Sequence, residues 1–401
     1  MDVVYVDQFK GDLYSKRVLV RVDFNVPLKE GKVVDRTRLN AAVPTITYLL
    51  EKGARVILMS HLGRPRGKHV AALSLESVSK VLEECLGVPV QFASDVIGER
   101  ARSAVDRLRP GEVMLLENLR FYAEETANDV DFSKALAELG ELFIQDAFGA
   151  VHRAHASTVG VASYLPAYAG LLIKREVSVL GRCLERPKRP FVALIGGSKI
   201  SSKFGVLKNL LGVVDTLVIG GAMTFTLLKA MGVAIGNSLY EPEKIDEAVT
   251  FLAEAERSKT NLLLPIDHVI SSECSESSRA EPCDDIAIPD GKMGLDIGPK
   301  TVAKIQHALA DAETIIWNGP VGVFEFPAFS KGTFSIANQL ATATAITIIG
   351  GGDSAAAIAK AGVSDKMTHV STGGGASLEF LEGKDLPGLS VLKGEAHLST
   401  T

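Results

Sequence analysis

Short apolar runs recur along this chain, and nearly every one stops at Gly, Asp, Asn or His before an amphipathic stretch begins. In the first half they are "RVLVRVDF" (17–24), "RVILMS" (55–60), "EVMLLE" (112–117) and "LFIQDAF" (142–148). In the second half they are "FVALIGG" (191–197), "TLVIGG" (216–221), "LLLPIDHVI" (262–270), "TIIWNG" (314–319) and "AITIIGGG" (345–352). Most are rich in β-branched residues and apolar almost without interruption. A strand of that kind has to be buried on both faces, which parallel sheets covered by helices provide. Helical patterns such as "NAAVPTITYLLEKG" and "PEKIDEAVTFLAEAERS" lie between the runs. The chain therefore reads as α/β, with mainly parallel sheets flanked by helices.

At 401 residues the chain is too long for one core of ordinary size. A long helical pattern from Leu171 to Glu185 runs into "RPKRP", where Pro187 and Pro190 forbid its continuation. This predicts a first lobe over 1–170, a joining helix over 171–186 and a second lobe over 187–387. The tail 388–401 has no assigned place. A formal charge of −5 excludes a general nucleic-acid binder, because no basic surplus exists to neutralise phosphates. No apolar run reaches the roughly 18 residues of a membrane span. The opening "MDVVYVDQFKGDLYSKRV" lacks a signal-peptide pattern, and Cys85, Cys183, Cys274 and Cys283 form no CxxC pair. The expectation is a soluble cytoplasmic protein with reduced thiols.

Open α/β sheets bind ligands beyond the carboxyl ends of their strands. In the first half those ends carry Asp23, Asn25, His61, Arg64, Arg120 and Arg153. With Arg38 they could converge on a small, multiply anionic acid, since guanidinium forks match carboxylate and phosphate oxygens. Singly, each arginine is an ordinary surface residue. His152 and His155 in "HRAH" invite a metal reading but lack a third ligand. The second half instead offers "GGSKISSK", "WNGPVGVFE" and "GGGDS". Lys199 and Lys203, spaced i, i+4 on a helix that opens after two glycines, would repel unless an anion lay between them. A solvated basic helix start is the alternative.

The turns at Gly350–Gly352 and Gly373–Gly375 each lead from an apolar run into a helix and could aim N–H groups at a phosphate. Asp353 could be a helix N-cap, or a hard oxygen ligand for Mg²⁺ at a polyphosphate. Asn318 and Glu325 sit in "WNGPVGVFE", where a carboxylate suits ribose hydroxyls; Trp317 reads as core. Neither GxxxxGK[ST] nor GxGxxG occurs, so a nucleotide site here is not of the P-loop or dinucleotide-fold type.

The segments "RVDFNVPL", "SHLGRPRG", "LLENLRF", "DAFGAVHRAHAS", "GGSKISSK", "WNGPVGVFE", "GGGDS" and "HVSTGGGASLEFLEGK" together resemble the phosphoglycerate kinase family. They occur in that family's order, from about Val18 to Pro387. The resemblance implies two Rossmann-like lobes joined by a helical hinge. It also implies reversible transfer of the γ-phosphoryl of Mg·ATP to the carboxylate of 3-phosphoglycerate, in a monomer. The acid would be held by Asp23, Asn25, Arg38, His61, Arg64, Arg120 and Arg153. The nucleotide would be held by Lys199, Lys203, Gly221, Leu295, Asn318, Glu325, Gly350, Gly351, Gly352, Asp353 and Ser354, with Asp353 reaching the phosphates through Mg²⁺. Arg38, Lys203, Gly373 and Gly374 would act on the transferring group.

Three positions and the tail depart from the family's pattern. Ser354 stands where threonine is usual, Lys292 where an aromatic is common, and Val151 where a smaller residue is usual. The tail "LSVLKGEAHLSTT" departs most. A carboxylate acceptor is already ionised at pH 7, so the absence of an evident general base fits this chemistry. Two rival readings are a phosphotransferase with another small-acid acceptor and a two-lobed anion-binding protein without chemistry.

Overall fold

The protein is described here over residues 3–393 as a computed structural model. It divides into two compact units. The first runs to Ser178 and takes in the chain again from Asp385; the second is Val179–Lys384. Each is built on a six-stranded sheet in which every neighbouring pair is parallel.

The first sheet has the order Val90–Ala93, Val113–Leu116, Arg55–Met59, Arg17–Arg21, Leu142–Gln145, Ala167–Ala169. Its central strands are almost wholly buried, as uninterrupted apolar runs require. Leu39, Ala42, Ile46 and Leu49 of the helix Thr37–Glu51 pack against Val18, Val20, Val56 and Leu58 on one face of this sheet. Burying each such side chain contributes on the order of 1.5–3 kcal/mol before ordering entropy is subtracted. The second sheet has the order Asn261–Leu263, Thr216–Ile219, Phe191–Ile195, Thr314–Asn318, Ile346–Gly350, His369–Val370. Trp317 lies fully buried in its core, its indole N–H donating to the Gly319 carbonyl at 2.7 Å.

The run 262–270 departs from the single strand expected. Asn261–Leu263 closes the edge of the parallel sheet, whereas His268–Ser271 is the middle strand of a separate antiparallel sheet with Glu281–Cys283 and Met293–Ile297. Pro265 has no N–H to give a ladder. Asp267 then turns its carboxylate onto the start of the helix Pro299–Ala310, accepting from the Lys300 and Thr301 amides at 2.8 and 2.7 Å. The described part of the tail joins the first unit: Gly388 N donates to the Val151 carbonyl at 2.8 Å and Val4 N to the Leu392 carbonyl at 3.2 Å. It packs through Leu389 and Leu392, and with them Leu386, which the sequence reading had assigned to the second lobe; all three are buried. Residues 394–401 of the tail lie outside the described residues.

The helix Leu171–Glu185 crosses the boundary between the units. Its first amides are satisfied from far along the chain. Leu171 N donates to Thr45 Oγ1 at 2.9 Å, and Leu172 and Ile173 N donate to Asp146 Oδ1 at 3.0 and 3.2 Å. Gly170 is required here, because a Cβ would sit 2.2 Å from that same oxygen. Asp146 is wholly buried, and its Oδ2 has no hydrogen-bond partner.

Burial pushes the Asp146 carboxyl up to about 7, against the opposing effect of Thr45 and the helix amides. An acid whose pKa is higher folded than unfolded holds its proton more tightly in the fold. Its contribution to stability is therefore present at low pH and lost as pH rises from about 4, the unfolded value, through 7. Asp146→Asn imitates the protonated form and should flatten that decline. Urea midpoints followed by circular dichroism at pH 5.5 and 8.5 should differ less in the variant than in the parent protein.

Candidate active site

In both units the polar side chains collect where the parallel strands end. In the first unit, Asp23 and Asn25 follow Arg17–Arg21, His61 follows Arg55–Met59, and Arg120 follows Val113–Leu116. Arg38 enters from the start of the helix Thr37–Glu51 and donates to Asp23 Oδ2 at 2.7 Å and to the Asn25 carbonyl at 3.3 Å. Asn25 Oδ1 accepts the Gly63 amide at 2.8 Å, and Arg120 Nη1 donates to the Gly63 carbonyl at 2.7 Å. These bonds tie the loops together around the cationic groups.

A cavity of about 440 Å³ is lined by Arg64, Arg66, Arg120, Arg153, Tyr122 and His155, among others. The structure thus gathers three of the sequence-predicted arginines at one opening and adds Arg66 and Tyr122, which the sequence reading missed, and His155, which it had weighed only as a metal ligand. Arg66 stood in the quoted "SHLGRPRG" beside Arg64, and Tyr122 directly follows the quoted "LLENLRF". No carboxylate lines this opening to offset so much positive charge. Burial, then Arg153 and Arg21, lower the Arg120 guanidinium to about 10. Burial, then Arg21, Arg120, Arg38 and Arg153, hold His61 well below the ordinary imidazole range. An anion with several negative oxygens would relieve this repulsion. The imidazoles of "HRAH" are otherwise engaged: His152 Nε2 takes the Arg153 Nε hydrogen at 3.0 Å, and His155 lies 3.7 Å from Glu125.

The second unit carries two adjoining cavities. One, of about 270 Å³, is lined by Lys199, Lys203, Asn318, Gly351, Gly352, Asp353 and Ser354, with the Gly196–Gly197 and Ser202 turn. The other, of about 350 Å³, is largely apolar, with Ala222, Phe225, Leu239, Leu295 and Val321 in its wall and Gly221 and Glu325 at polar points. Gly197, Ser198 and Asp353 line both, so a ligand with a polar chain and a flat apolar head fits across them. The apolar wall comes from separate elements and left no local signature in the sequence.

Close backbone approach fixes the glycines. A Cβ on Gly196 would lie 2.2 Å from the Pro320 carbonyl oxygen, and Gly351 has φ +87°. Lys203 Nζ donates to Asn318 Oδ1 at 2.6 Å. Burial lowers the Lys203 ammonium to about 8, against the opposing charges of Asp353 and Glu382. The Asn318 Nδ2 is buried without a partner beside the Gly350–Gly351 turn.

Several placements differ from the sequence reading. Lys199 and Lys203 do not share a helix; the helix is Phe204–Leu210, and Lys203 is its N-cap. Glu241 takes the Ser201 amide at 2.9 Å and its hydroxyl at 2.6 Å, which holds the segment in a turn. Both lysines still line the same cavity. Ser354 is fully buried and its hydroxyl accepts the Gly319 amide at 2.6 Å, so it braces the turn. Gly350 lies behind the cavity wall at the end of its strand. Gly373 and Gly374 line neither cavity; Gly373 N donates to Ser371 Oγ at 3.1 Å, and Gly374 caps the helix Gly375–Leu381. Lys292, at the position where an aromatic is common, pairs with Glu281 at 2.7 Å.

Arginine-rich strand ends in one unit, with lysine, aspartate and glycine turns in the other, define an α/β enzyme that handles phosphoryl groups. The family model described as "Phosphoglycerate kinase" matches residues 6–384. The chain belongs to the phosphoglycerate kinase family. It is 54% identical over 382 residues to the phosphoglycerate kinase of Borrelia hermsii, covering 95% of this chain and 97% of that protein. It is also 54% identical over 388 residues to that of Clostridium botulinum (strain Eklund 17B), covering 96% and 97%. Among solved structures, phosphoglycerate kinase from Coxiella burnetii superposes with a TM-score of 0.86 at 43% identity, covering 97% of this chain and 98% of that one. The enzyme from Pyrococcus horikoshii gives 0.85 at 31% identity, with the same coverage.

A Cβ on Gly350 would fall 2.9 Å from Asn318 Nδ2 and push that side chain off the Lys203 ammonium. Gly350→Ala should weaken ADP binding by about tenfold and lower the thermal midpoint by a few degrees, because a buried ammonium loses its hydrogen bond. Titration calorimetry with ADP measures the first and calorimetric unfolding the second.

Proposed function

We propose that the first unit holds 3-phosphoglycerate and the second holds the adenine nucleotide, in the phosphotransferase reaction of this family. That reaction moves the ATP γ-phosphoryl reversibly to the carboxylate of 3-phosphoglycerate, giving ADP and 1,3-bisphosphoglycerate. The observation that carries the assignment is the gathering of Arg64, Arg120 and Arg153 at one opening, while Lys199, Lys203 and Asp353 share another with glycine turns. In this reading Asp23, Asn25, Arg38 and His61 complete the acid site. Asn318, Gly350–Gly352 and Ser354 shape the phosphate end of the nucleotide site, with Gly221, Leu295 and Glu325 on its nucleoside side.

A carboxylate oxygen attacks the γ-phosphorus, and the bond from that phosphorus to the β–γ bridging oxygen breaks as the new P–O bond forms. No proton has to be removed. Catalysis then rests on in-line alignment and on cations at the equatorial oxygens of the transferring group. Arg38 and Lys203 supply such charge, and Gly374, with Gly373 once its amide leaves Ser371 Oγ, would offer amides as the units come together. Acid and nucleotide are assigned to different units, so transfer requires closure, with the helix Leu171–Glu185 as hinge between lobes 1–170 and 187–387. Closure also keeps water from the phosphoryl group.

The donor set fits magnesium. Asp353 is an exposed carboxylate lining both cavities, and no group of three or more His, Cys, Asp or Glu that could cage an ion occurs among the described residues. One carboxylate plus substrate phosphates is the usual Mg²⁺ arrangement. When bound there, Mg²⁺ would neutralise charge on the β- and γ-phosphates. We place the enzyme in the cytoplasm as a monomer; among the described residues no helix is long and apolar enough to cross a membrane.

ADP formation from Mg·ATP should depend on added 3-phosphoglycerate, with a coupling enzyme removing the acyl phosphate. Lys203→Ala should lower kcat by roughly 10²–10³. Turnover without the acceptor, or none in its presence with nucleotide still bound, would refute the assignment. Mg²⁺ should tighten ADP binding in the parent protein, and Asp353→Asn should remove most of that gain in a calorimetric titration.

A further inference from the structure

Behind the basic opening of the first unit lies a buried line of polar groups that the phosphoryl-transfer reading does not use. Arg21 ends the strand Arg17–Arg21 and is completely buried. All three of its nitrogens are committed. Nε donates to Ser157 Oγ at 2.8 Å, Nη1 to the Val22 carbonyl, and Nη2 meets His61 Nδ1 at 3.0 Å. Ser157, also fully buried, passes its own hydroxyl hydrogen to Glu125 Oε1 at 2.6 Å, and its amide donates to Glu125 Oε2 at 3.0 Å. Glu125 is fully buried too, and His155 stands 3.7 Å from its Oε1.

The direction of every bond in this line is fixed by chemistry. A guanidinium nitrogen can only donate, so His61 Nδ1 must accept. His61 is neutral, because burial and then four surrounding arginines oppose a further positive charge. Its single proton therefore sits on Nε2. The Ser157 hydroxyl accepts from Arg21, so its hydrogen is free for Glu125, and the line ends on the only carboxylate in it. A buried guanidinium needs such a counter-charge, and Glu125 provides it without facing the opening.

We infer that Arg21, Ser157 and Glu125 are positioning residues that lock His61 as its Nε2–H tautomer, so that the ring presents a donor to the anionic substrate. The inference rests on the placement of 3-phosphoglycerate in the first unit. The same set explains why a ring among arginines stays oriented: Arg21 Nη2 holds one edge, and only the other is left for ligand. It also joins two loops far apart in sequence, since Glu125 takes the Ser157 amide and its own carbonyl takes the Ala156 amide at 2.9 Å. The backbone that carries Arg153 is thereby fixed by the same carboxylate.

The test uses the full chain labelled with ¹⁵N at histidine, in the parent protein and in Arg21→Lys, Ser157→Ala and His61→Ala. Loss of signal in His61→Ala assigns the ring. The parent should show a protonated Nε2 and an unprotonated Nδ1 at neutral pH; the reverse pattern would overturn the inference. Arg21→Lys and Ser157→Ala should show a mixture of tautomers. In both, KM for 3-phosphoglycerate should rise by about tenfold, with KM for ATP and kcat within about twofold of the parent.

Thermal unfolding and ADP titration check that each variant is folded. A folded Ser157→Ala and a folded Arg21→Lys that both keep the parent's His61 signal would refute the locking role. So would a His61→Ala/Ser157→Ala double variant whose KM change equals the product of the single changes, because residues acting through His61 must be non-additive with it. The ring signals are read without substrate. If the tautomer is locked but acceptor-dependent turnover fails, the placement of the acid is wrong and the locking stands.

Discussion

A strand buried on both faces has no room for a polar side chain until it ends, and that restriction organises this protein. Both six-stranded sheets are parallel throughout, so within each unit the strands end on one side, and most of the candidate site residues gather there. The first unit ends its strands in Asp23, His61 and Arg120, and the second in glycine turns with Asn318. The position of each site is thus a result of core packing. Its chemistry is set by a few loop residues free of that packing.

Like charges gathered in this way need internal support. In the first unit it comes from carboxylates withdrawn from the opening: Asp23 against Arg38, and Glu125 behind Ser157 and Arg21. In the second, Lys203 is steadied by the amide oxygen of Asn318, with Asp353 and Glu382 acting at longer range. The two arrangements differ in kind. Guanidinium groups bonded to carbonyls and carboxylates are fixed before any ligand arrives. A lysine on the oxygen of an Asn318 amide whose nitrogen has no partner has capacity still unused.

Much of this was legible in the sequence because the same physics writes the pattern and builds the fold. Uninterrupted β-branched runs gave the starts of central strands to the residue, as at Arg17–Arg21 and Phe191–Ile195, and ran two or three residues past their ends into the turns. Pro187 and Pro190 marked the end of the crossing helix. Short strands such as Ala167–Ala169 and Glu281–Cys283 were not legible, because three residues carry too little periodicity. For the sites, charged residues at strand ends announced themselves, and the motif resemblance added weight. Ser157, Glu125 and Arg21 did not, since a buried polar network is defined by partners up to 136 positions apart. Lys199 and Lys203 were placed on a helix by spacing alone, and a carboxylate from Glu241, forty residues on, overrode it.

The return of the chain from Asp385 into the first unit bears on how the protein is made. Val3 pairs with Lys393 as an isolated bridge, and Leu386, Leu389 and Leu392 fill buried positions that no earlier residue occupies. A nascent chain that has emerged only to Ser178 therefore holds a sheet but lacks its last apolar covering. The second unit, by contrast, is continuous from Val179 to Lys384 and can bury its core as soon as it clears the ribosome. Although synthesised first, the N-terminal unit is the one completed last, only after Asp385 and the residues that follow it have been added.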